Sequence, residues 1–502
     1  MRGAGRARSA WGALFGTLLL GLGACSTPPP PDNTPKAAAV CGHVPAGPAT
    51  APAGAVTVDP AVHGDLLTKT EANPPGTTFW LAPGTHTLGD GEYDQVGPKE
   101  GDHYIGAPGA IVDGKKVNRY AFSGKATKVT IEHLTITGFK PPDNEGAVNH
   151  DSGAEWTILA NDLVENAGAA VMGGTREVLK GNCLRNNGQY GLNGCCDDLG
   201  GLSGLVIEGN EFVGNNAEDV EKKYPEGCGC SGAMKLWAVN GADIRGNWIH
   251  DNRGPGIWAD TNNNDFLIED NVIENNDDTA IFYETSYNAT IRNNLLKGNN
   301  LVAGRKYVQE DDSFPVAAIY ISESGGEPRV KARTAKIEIS GNTLVNNWSG
   351  ITLWENADRF CNSPANSSTG VCTLLVPEVA KCAPPGIAAE PLRGDCRWKT
   401  QNVDIHDNHF SVDPAAIDCR EMCARMGLLS NFGTVPDWSP YQAEAVEQAI
   451  TYNQNNRWSN NRYSGPWTFV TEEASRLADP ARWQGVPYQQ DQGSTFDAGG
   501  GN

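Results

Sequence analysis

Two acidic residues recur at one phase of a repeating sequence. In residues 256–294, GIWADTNNNDFLIEDNVIENNDDTAIFYETSYNATIRNN, the segment GIWAD aligns with AIFYE and IEDN with IRNN, so Asp260 and Glu284 occupy the same place one period apart. Each follows an asparagine by thirteen residues, Asn247 and Asn271. Carboxylates held close together suit acid–base work, because their repulsion raises one pKa and supplies a proton donor while the partner stays ionised. On this reading Glu284 is the acid/base, and Asp260 is the nucleophile or the base that activates water. Lys235 stands one repeat earlier, where it could hold the ionised acid or a substrate oxygen. Trp237, Trp258, Phe282, Tyr283 and Tyr320 surround them and are expected to bind substrate, since aromatic platforms suit the apolar faces of sugar rings. Acids on neighbouring repeats come roughly 5 Å apart, the separation of a retaining glycosidase, and splayed rotamers reach the inverting range. The competing chemistry is β-elimination from a uronate, with Lys235 as base and the acids binding a metal that neutralises the sugar carboxylate. The plainer account is that exposed acids keep a surface soluble and exposed aromatics only pack.

The elements that position these residues follow from the repeat. Asparagines recur at 161, 182, 210, 247, 271, 294, 342 and 408, each after a short β-branched or leucine-containing stretch. In the first seven cases a second asparagine follows five residues later, at 166, 187, 215, 252, 276, 299 and 347. Between them lie alternating segments such as LVIEGN and VTIEHLTI, whose period of two buries every other side chain. Uninterrupted spacings of 21 to 28 residues are too short for a strand plus a crossover helix and long enough for three short strands and three bends. That is the repeat of a parallel β-helix, in which inward asparagines at a bend form a ladder from coil to coil. Leucine-rich repeats compete, but their leucine framework is missing. The phase then runs Asp151, Gly174, Cys195, Trp237, Asp260, Glu284, Ser322, Trp354, with Asn149, Met172, Asn193, Lys235, Trp258, Phe282, Tyr320 and Thr352 two residues earlier.

PPGTTFWLAPGTHTL (74–88), GAPGAIVDG (106–114) and the paired-asparagine coils resemble the right-handed parallel β-helix proteins of the pectin-lyase-like superfamily, in particular exported bacterial ones. The resemblance spans roughly residues 60–425. It implies an all-β solenoid, and a polysaccharide as the partner of an enzyme on that scaffold. It leaves several activities open, because such proteins include glycoside hydrolases, polysaccharide lyases, uronan epimerases, adhesins and a copper-delivery type. The triplet Asn149-His150-Asp151 loosely resembles the His-Asp pairing of the epimerases, without the fuller motif. Five methionines and no histidine cluster argue against copper delivery. The expected function is polysaccharide cleavage by a glycoside hydrolase, with a lyase, an epimerase or a non-catalytic glycan-binding protein as the alternatives.

Residues 1–25 combine a basic start, a short apolar run and Leu22-Gly23-Ala24-Cys25, a signal peptide ending in a lipobox. By resemblance to bacterial lipoproteins, Cys25 becomes the lipidated first residue, and the only membrane contact is that anchor on the extracytoplasmic face. The Pro-rich stretch 26–40 is an extended tether. The β-helix is expected over 41–425, and 426–502, with a helical pattern at 439–452, as a capping segment that covers the open end of the stack. Excursions at 217–232, 301–316 and 355–400 interrupt the repeat and are expected to wall a groove. Without the three arginines of residues 1–25 the chain carries 36 basic against 60 acidic groups, a net charge of −24, which argues against nucleic acid. The loop AEDVEKKYPE (217–226) reads as a solvated flap, with calcium as its one functional alternative; no other metal or cofactor is expected. A monomer is expected. Twelve cysteines remain after Cys25, an even number for an oxidising compartment. Cys195-Cys196 and Cys228/Cys230 are placed to staple neighbouring segments, Cys361, Cys372, Cys382 and Cys396 share one insertion, and Cys419 and Cys423 sit together. His150 and His250 read as satisfied surface residues.

Overall fold

The computed structural model describes residues 34–195, 201–224, 229–365 and 372–497. The leader and most of the tether therefore lie outside the described residues, as do Cys196 and Cys228; Cys195 and Cys230 are each disulfide-bonded. The chain winds as a parallel β-helix. Among the described residues, two sheets of thirteen strands and one of eleven run along its length, and all their pairings are parallel except the last one, Thr468–Glu472 with Leu477–Ala478. One coil shows the plan: Asn264–Glu269 in the first sheet, Val272–Glu274 in the second, Ile281–Glu284 in the third, then Tyr287–Arg292 back in the first. Parallel strands joined in this way wind right-handed, because the strands' own twist favours that hand.

Alternation decides which side chains enter. Ile244, Ile268, Ile291, Ile339 and Ile405 pair successively across the first sheet and are fully buried. Each such burial is worth about 1.5–3 kcal/mol. The bends need a different device, since their peptide groups turn inward where no strand partner meets them. Asn210 shows it. Its Oδ1 accepts the Asn182 N–H at 2.9 Å and the Asn182 side-chain amide at 3.0 Å, while its Nδ2 donates to the Leu179 carbonyl at 2.8 Å. The column runs from Asn161 to Asn461, one coil beyond the expected Asn408, and the second column runs from Asn166 to Asn347. The residue before each first-column asparagine from Asn161 to Asn408 has a positive φ of 51–64°. This is why glycine, asparagine or aspartate precedes the ladder residue in all but one of those coils.

The strands do not stop at residue 425. Arg425–Asn431, Arg457–Ser459, Arg462–Ser464, Thr468–Glu472 and Thr495–Asp497 continue the three sheets, so the described part of the expected cap, 426–497, supplies further coil as well as short helices. The helix Glu444–Gln448 puts Val446 into a small separate core with the 355–400 excursion. Closure of the end falls to helix Pro480–Gln484, whose Trp483 stacks on Phe469 at 4.6 Å. Asp491 ends the ladder there, accepting from Asn461, Tyr463, Trp483 and Ser494 at 2.7–2.9 Å.

Ahead of the first strand, Val56–Val58, the chain lies as a strap on the outside of the stack. The Val40 and Cys41 amides donate to Glu211 at 2.6 and 2.8 Å, Cys41 is disulfide-bonded to Cys183, and the Pro48 carbonyl accepts from Trp80 at 3.0 Å. Glu211 also meets His250, whose other ring nitrogen reaches Asp251 at 2.7 Å. Burial alone would raise the Glu211 carboxyl, but the bonds from His250, Cys41 and Val40 hold it below the ordinary value. Burial would lower His250, and Glu211 and Asp251 hold it above. The other described disulfides are Cys361–Cys372, Cys382–Cys396 and Cys419–Cys423, all inside the clusters that the spacing marks out.

Two measurements check these contacts. Asn247→Ala strips the Asn210 N–H and side-chain amide of their shared acceptor, and each stranded buried group costs about 1–3 kcal/mol, so chemical denaturation should show a loss of about 3 kcal/mol. His250→Gln removes stability that is present below the unfolded histidine value of about 6.5 and lost as pH rises through the raised folded value. The melting-temperature gap between wild type and variant should therefore be widest at mildly acidic pH, short of Glu211 protonation, and close at alkaline pH.

Candidate functional site

The outer face of the third sheet carries the columns that the asparagine phase marks. Lys235 pairs with Trp258 and Trp237 with Asp260; Trp258 then pairs with Phe282, Phe282 with Tyr320, and Glu284 with Ser322. All the excursions flank this sheet. Residues 217–232 and 301–316 enter its strands, and 355–400 leaves them, so each outward column meets different walls.

The column nearer the strand starts forms an aromatic stack, with Trp258 on Phe282 at 5.2 Å and Phe282 on Tyr320 at 4.8 Å. Phe314 and Trp354 close over Tyr320. Trp258 and Phe282 remain on a cleft of about 560 Å³ between the 217–232 excursion and the helix Leu301–Gln309. Lys235 lies 4.1 Å over the Trp258 ring and donates to the Gly229 carbonyl. Trp237 is half-buried. Tyr283 corrects the expectation of a substrate-facing ring. It has the inward parity of its strand, is fully buried against Phe266, and its hydroxyl donates to the Tyr287 carbonyl at 2.6 Å.

The carboxylate column is also not the open pair expected. Asp260 is 6% and Glu284 8% exposed. Asp260 is paired with Lys235 at 3.0 Å and accepts from the Thr261 N–H and hydroxyl at 2.7 and 2.8 Å. Glu284 accepts the Trp258 indole N–H at 2.9 Å and is ion-paired with Arg359, which also lies 3.8 Å from Glu323. Burial pushes the Glu284 carboxyl above its ordinary range, Arg359 opposes that, and the Asp260 charge adds to it. Burial raises Glu323 too, against Arg359 and the hydrogen bonds from Ser322 and the Asn356 amide. The result is three acids and two bases in one buried network. A proton on one acid leaves it neutral. Lys235, tied to Asp260 and Gly229 beneath the flap, is poorly placed to act as a free base.

The other candidates stand apart from this network. Asn149 is buried and bonds Gly153 and Glu177, while His150 stacks on Tyr120 at 4.0 Å with Glu145 3.7 Å away. In the 217–226 loop, Asp219 is ion-paired with Lys222 and Glu218 with Lys223, and Glu226 lies outside the described residues. Among the described residues no group of three or more His, Cys, Asp or Glu could hold a metal ion.

Arg359→Met strands Glu284 and Glu323, and removing one partner of a buried ion pair typically costs about 3–5 kcal/mol. Unfolding measurements should show a loss near the lower end, since Arg359 is partly exposed, and Glu284→Gln added to Arg359→Met should recover part of it.

A family profile described as "Right handed beta helix region" matches residues 146–363. No curated protein matches the chain. Among solved structures, the catalytic unit of a thermostable GH87 alpha-1,3-glucanase from Streptomyces thermodiastaticus is 11% identical at a TM-score of 0.44, with 91% of this chain and 72% of that one covered. The A-module of the Azotobacter vinelandii mannuronan C-5 epimerase AlgE4 is 12% identical at a TM-score of 0.39, with 71% and 91% covered. An alginate lyase from Paenibacillus sp. is 14% identical at 0.32, with 58% and 90% covered. The coils themselves and the matched profile identify the fold: the chain is a right-handed parallel β-helix.

Proposed function

We propose that this is a carbohydrate-active β-helix protein, exported and tethered through Cys25, that holds a polysaccharide over Trp258 and Phe282 and hydrolyses it with Glu284 and Asp260. The observation that carries the reading is the double role of Trp258. Its ring floors the cleft while its N–H holds Glu284, the carboxyl that burial keeps toward the protonated form. Lys235 and Phe282 cover the faces of that indole, so a sugar meets its cleft-facing edge, next to a carboxyl that becomes a proton donor once Arg359 withdraws. Asp260, held by Lys235 and Thr261, is the partner one coil away, and coils stack about 5 Å apart, the spacing that suits retention. Withdrawal of Arg359 from Glu284 is the step that substrate must drive.

A second reading is elimination or epimerisation at a uronate. It is favoured by the stacking of His150 on Tyr120, whose hydroxyl bonds Glu145, a histidine and a phenol side by side where one could take and the other give a proton.

Digestion of a glycan panel, read by reducing ends and by the absorbance of unsaturated uronates, separates the two. Hydrolysis that falls about 10²–10⁴-fold in Glu284→Gln supports the main reading. Unsaturated ends lost in His150→Ala move the chemistry to the second. Glycans retained on an affinity gel but left intact by every form reduce the protein to a binder.

A further inference from the structure

The cleft over Trp258 and Phe282 contains acids that the sequence pattern does not single out. Asp277 and Asp278 follow the second-column Asn276, at the bend that leads into the strand Ile281–Glu284, and both line the cleft opposite the 217–232 excursion. Neither forms an ion pair among the described residues. Asp277 is half-buried, and one oxygen of Asp278 accepts from the Thr279 N–H and hydroxyl at 2.7 and 3.2 Å.

The cations of the same cleft are already engaged. Lys222 is ion-paired with Asp219, and Arg253 lies 3.7 Å from Asp219. Lys306, on the far wall, is 3.9 Å from Glu310. Glu221 accepts from the Cys230 amide and the Ser231 hydroxyl at 3.0 and 3.2 Å. Arg253 opposes the Asp277 charge and Lys306 that of Asp278, but both cations are shared with other acids, and the lining holds more carboxylates than cations: Asp219, Glu221, Asp277 and Asp278 against Lys222, Arg253 and Lys306. A sugar carboxylate entering here would face Asp277 and Asp278 across a lining with more acids than cations, and like charges brought together in a partly desolvated site repel strongly. Sugar hydroxyls are the opposite case, since they donate to carboxylates while the ring lies against the cleft-facing edges of Trp258 and Phe282. Val302 and Ala303 supply an apolar edge beside the floor.

From this lining we infer that the cleft selects a neutral glycan, a polymer of uncharged hexose or pentose units, with Asp277 and Asp278 as its hydroxyl acceptors. The inference rests on the glycan reading of Trp258 and Phe282 and names the substrate class for it. It excludes uronans from this cleft, which the reading by itself does not.

Affinity electrophoresis of the mature protein in gels containing soluble glucans, xylan or mannan, and separately polygalacturonate or alginate, tests it. Asp277→Asn/Asp278→Asn, Phe282→Ala and Trp258→Ala run alongside, each checked for native melting. The expected result is retention by a neutral glycan, none by the uronans, and a weakening of about ten-fold or more in the double Asn variant, which forfeits charge-assisted hydrogen bonds. Retention by a uronan that Phe282→Ala or Trp258→Ala abolishes would overturn the inference and leave the glycan reading standing. So would neutral-glycan retention unchanged in the double Asn variant. If no glycan is retained, or retention ignores both aromatic variants, the glycan reading fails and this inference with it.

Discussion

The hydrogen bond between an asparagine side chain and the backbone of the next coil is the constraint on which this molecule depends. A strand satisfies its own peptide groups by pairing, but a bend at the centre of a stack turns amides inward where water is absent, and an unmet buried amide is expensive. Asn247 resolves this by accepting from the Asn210 amide and donating to the Ile207 carbonyl, and the same exchange repeats along the column. Because each link needs the next coil in register, the ladder fixes the rotation of every coil about the axis. The outward columns of the third sheet inherit their alignment from it. Trp258, Phe282 and Tyr320 stack because Asn247, Asn271 and Asn294 do.

The third sheet's outer face is divided by what its strands connect to. Excursions that enter the strands leave the Trp258 and Phe282 rings on a cleft, whereas the one that leaves them brings Arg359 down on Glu284. Adjacent columns, two residues apart in sequence, thus sit in a wettable cleft and in a closed ionic network. Trp258 joins the two, ring on one side and N–H on the other.

Much of this was legible because it is periodic. The asparagine phase gave the solenoid, its coil length and the stacked pairs Lys235/Trp258 and Trp258/Phe282. Tyr283 was misplaced against that same logic: it is one residue from Phe282, and strand parity alone sends it inward. What periodicity could not reach lies in the excursions. Arg359 meets Glu284 across 75 residues and Cys41 meets Cys183 across 142, and neither position is set by the repeat. Asp277 and Asp278 were within reach, as acids just past a ladder asparagine, but their environment depends on the helix 301–309 folding over them. Glu323 sits one residue past the marked phase, and only Arg359 makes it part of the network.

The strap has a mechanical consequence. The bond from Cys41 to Cys183 joins the segment before the fold directly to the second sheet, and residues 42–182 form a covalently closed loop between them. The cleft lies on later coils, from Asn216 onward. Tension between the N-terminal segment and the cleft lining, applied by whatever the cleft holds, would cross at Cys183 and run through the coils between Cys183 and Phe282. The coils built by residues 56–164 lie outside the line of force, so a pull that peels an ordinary solenoid from its end would leave these first turns wound.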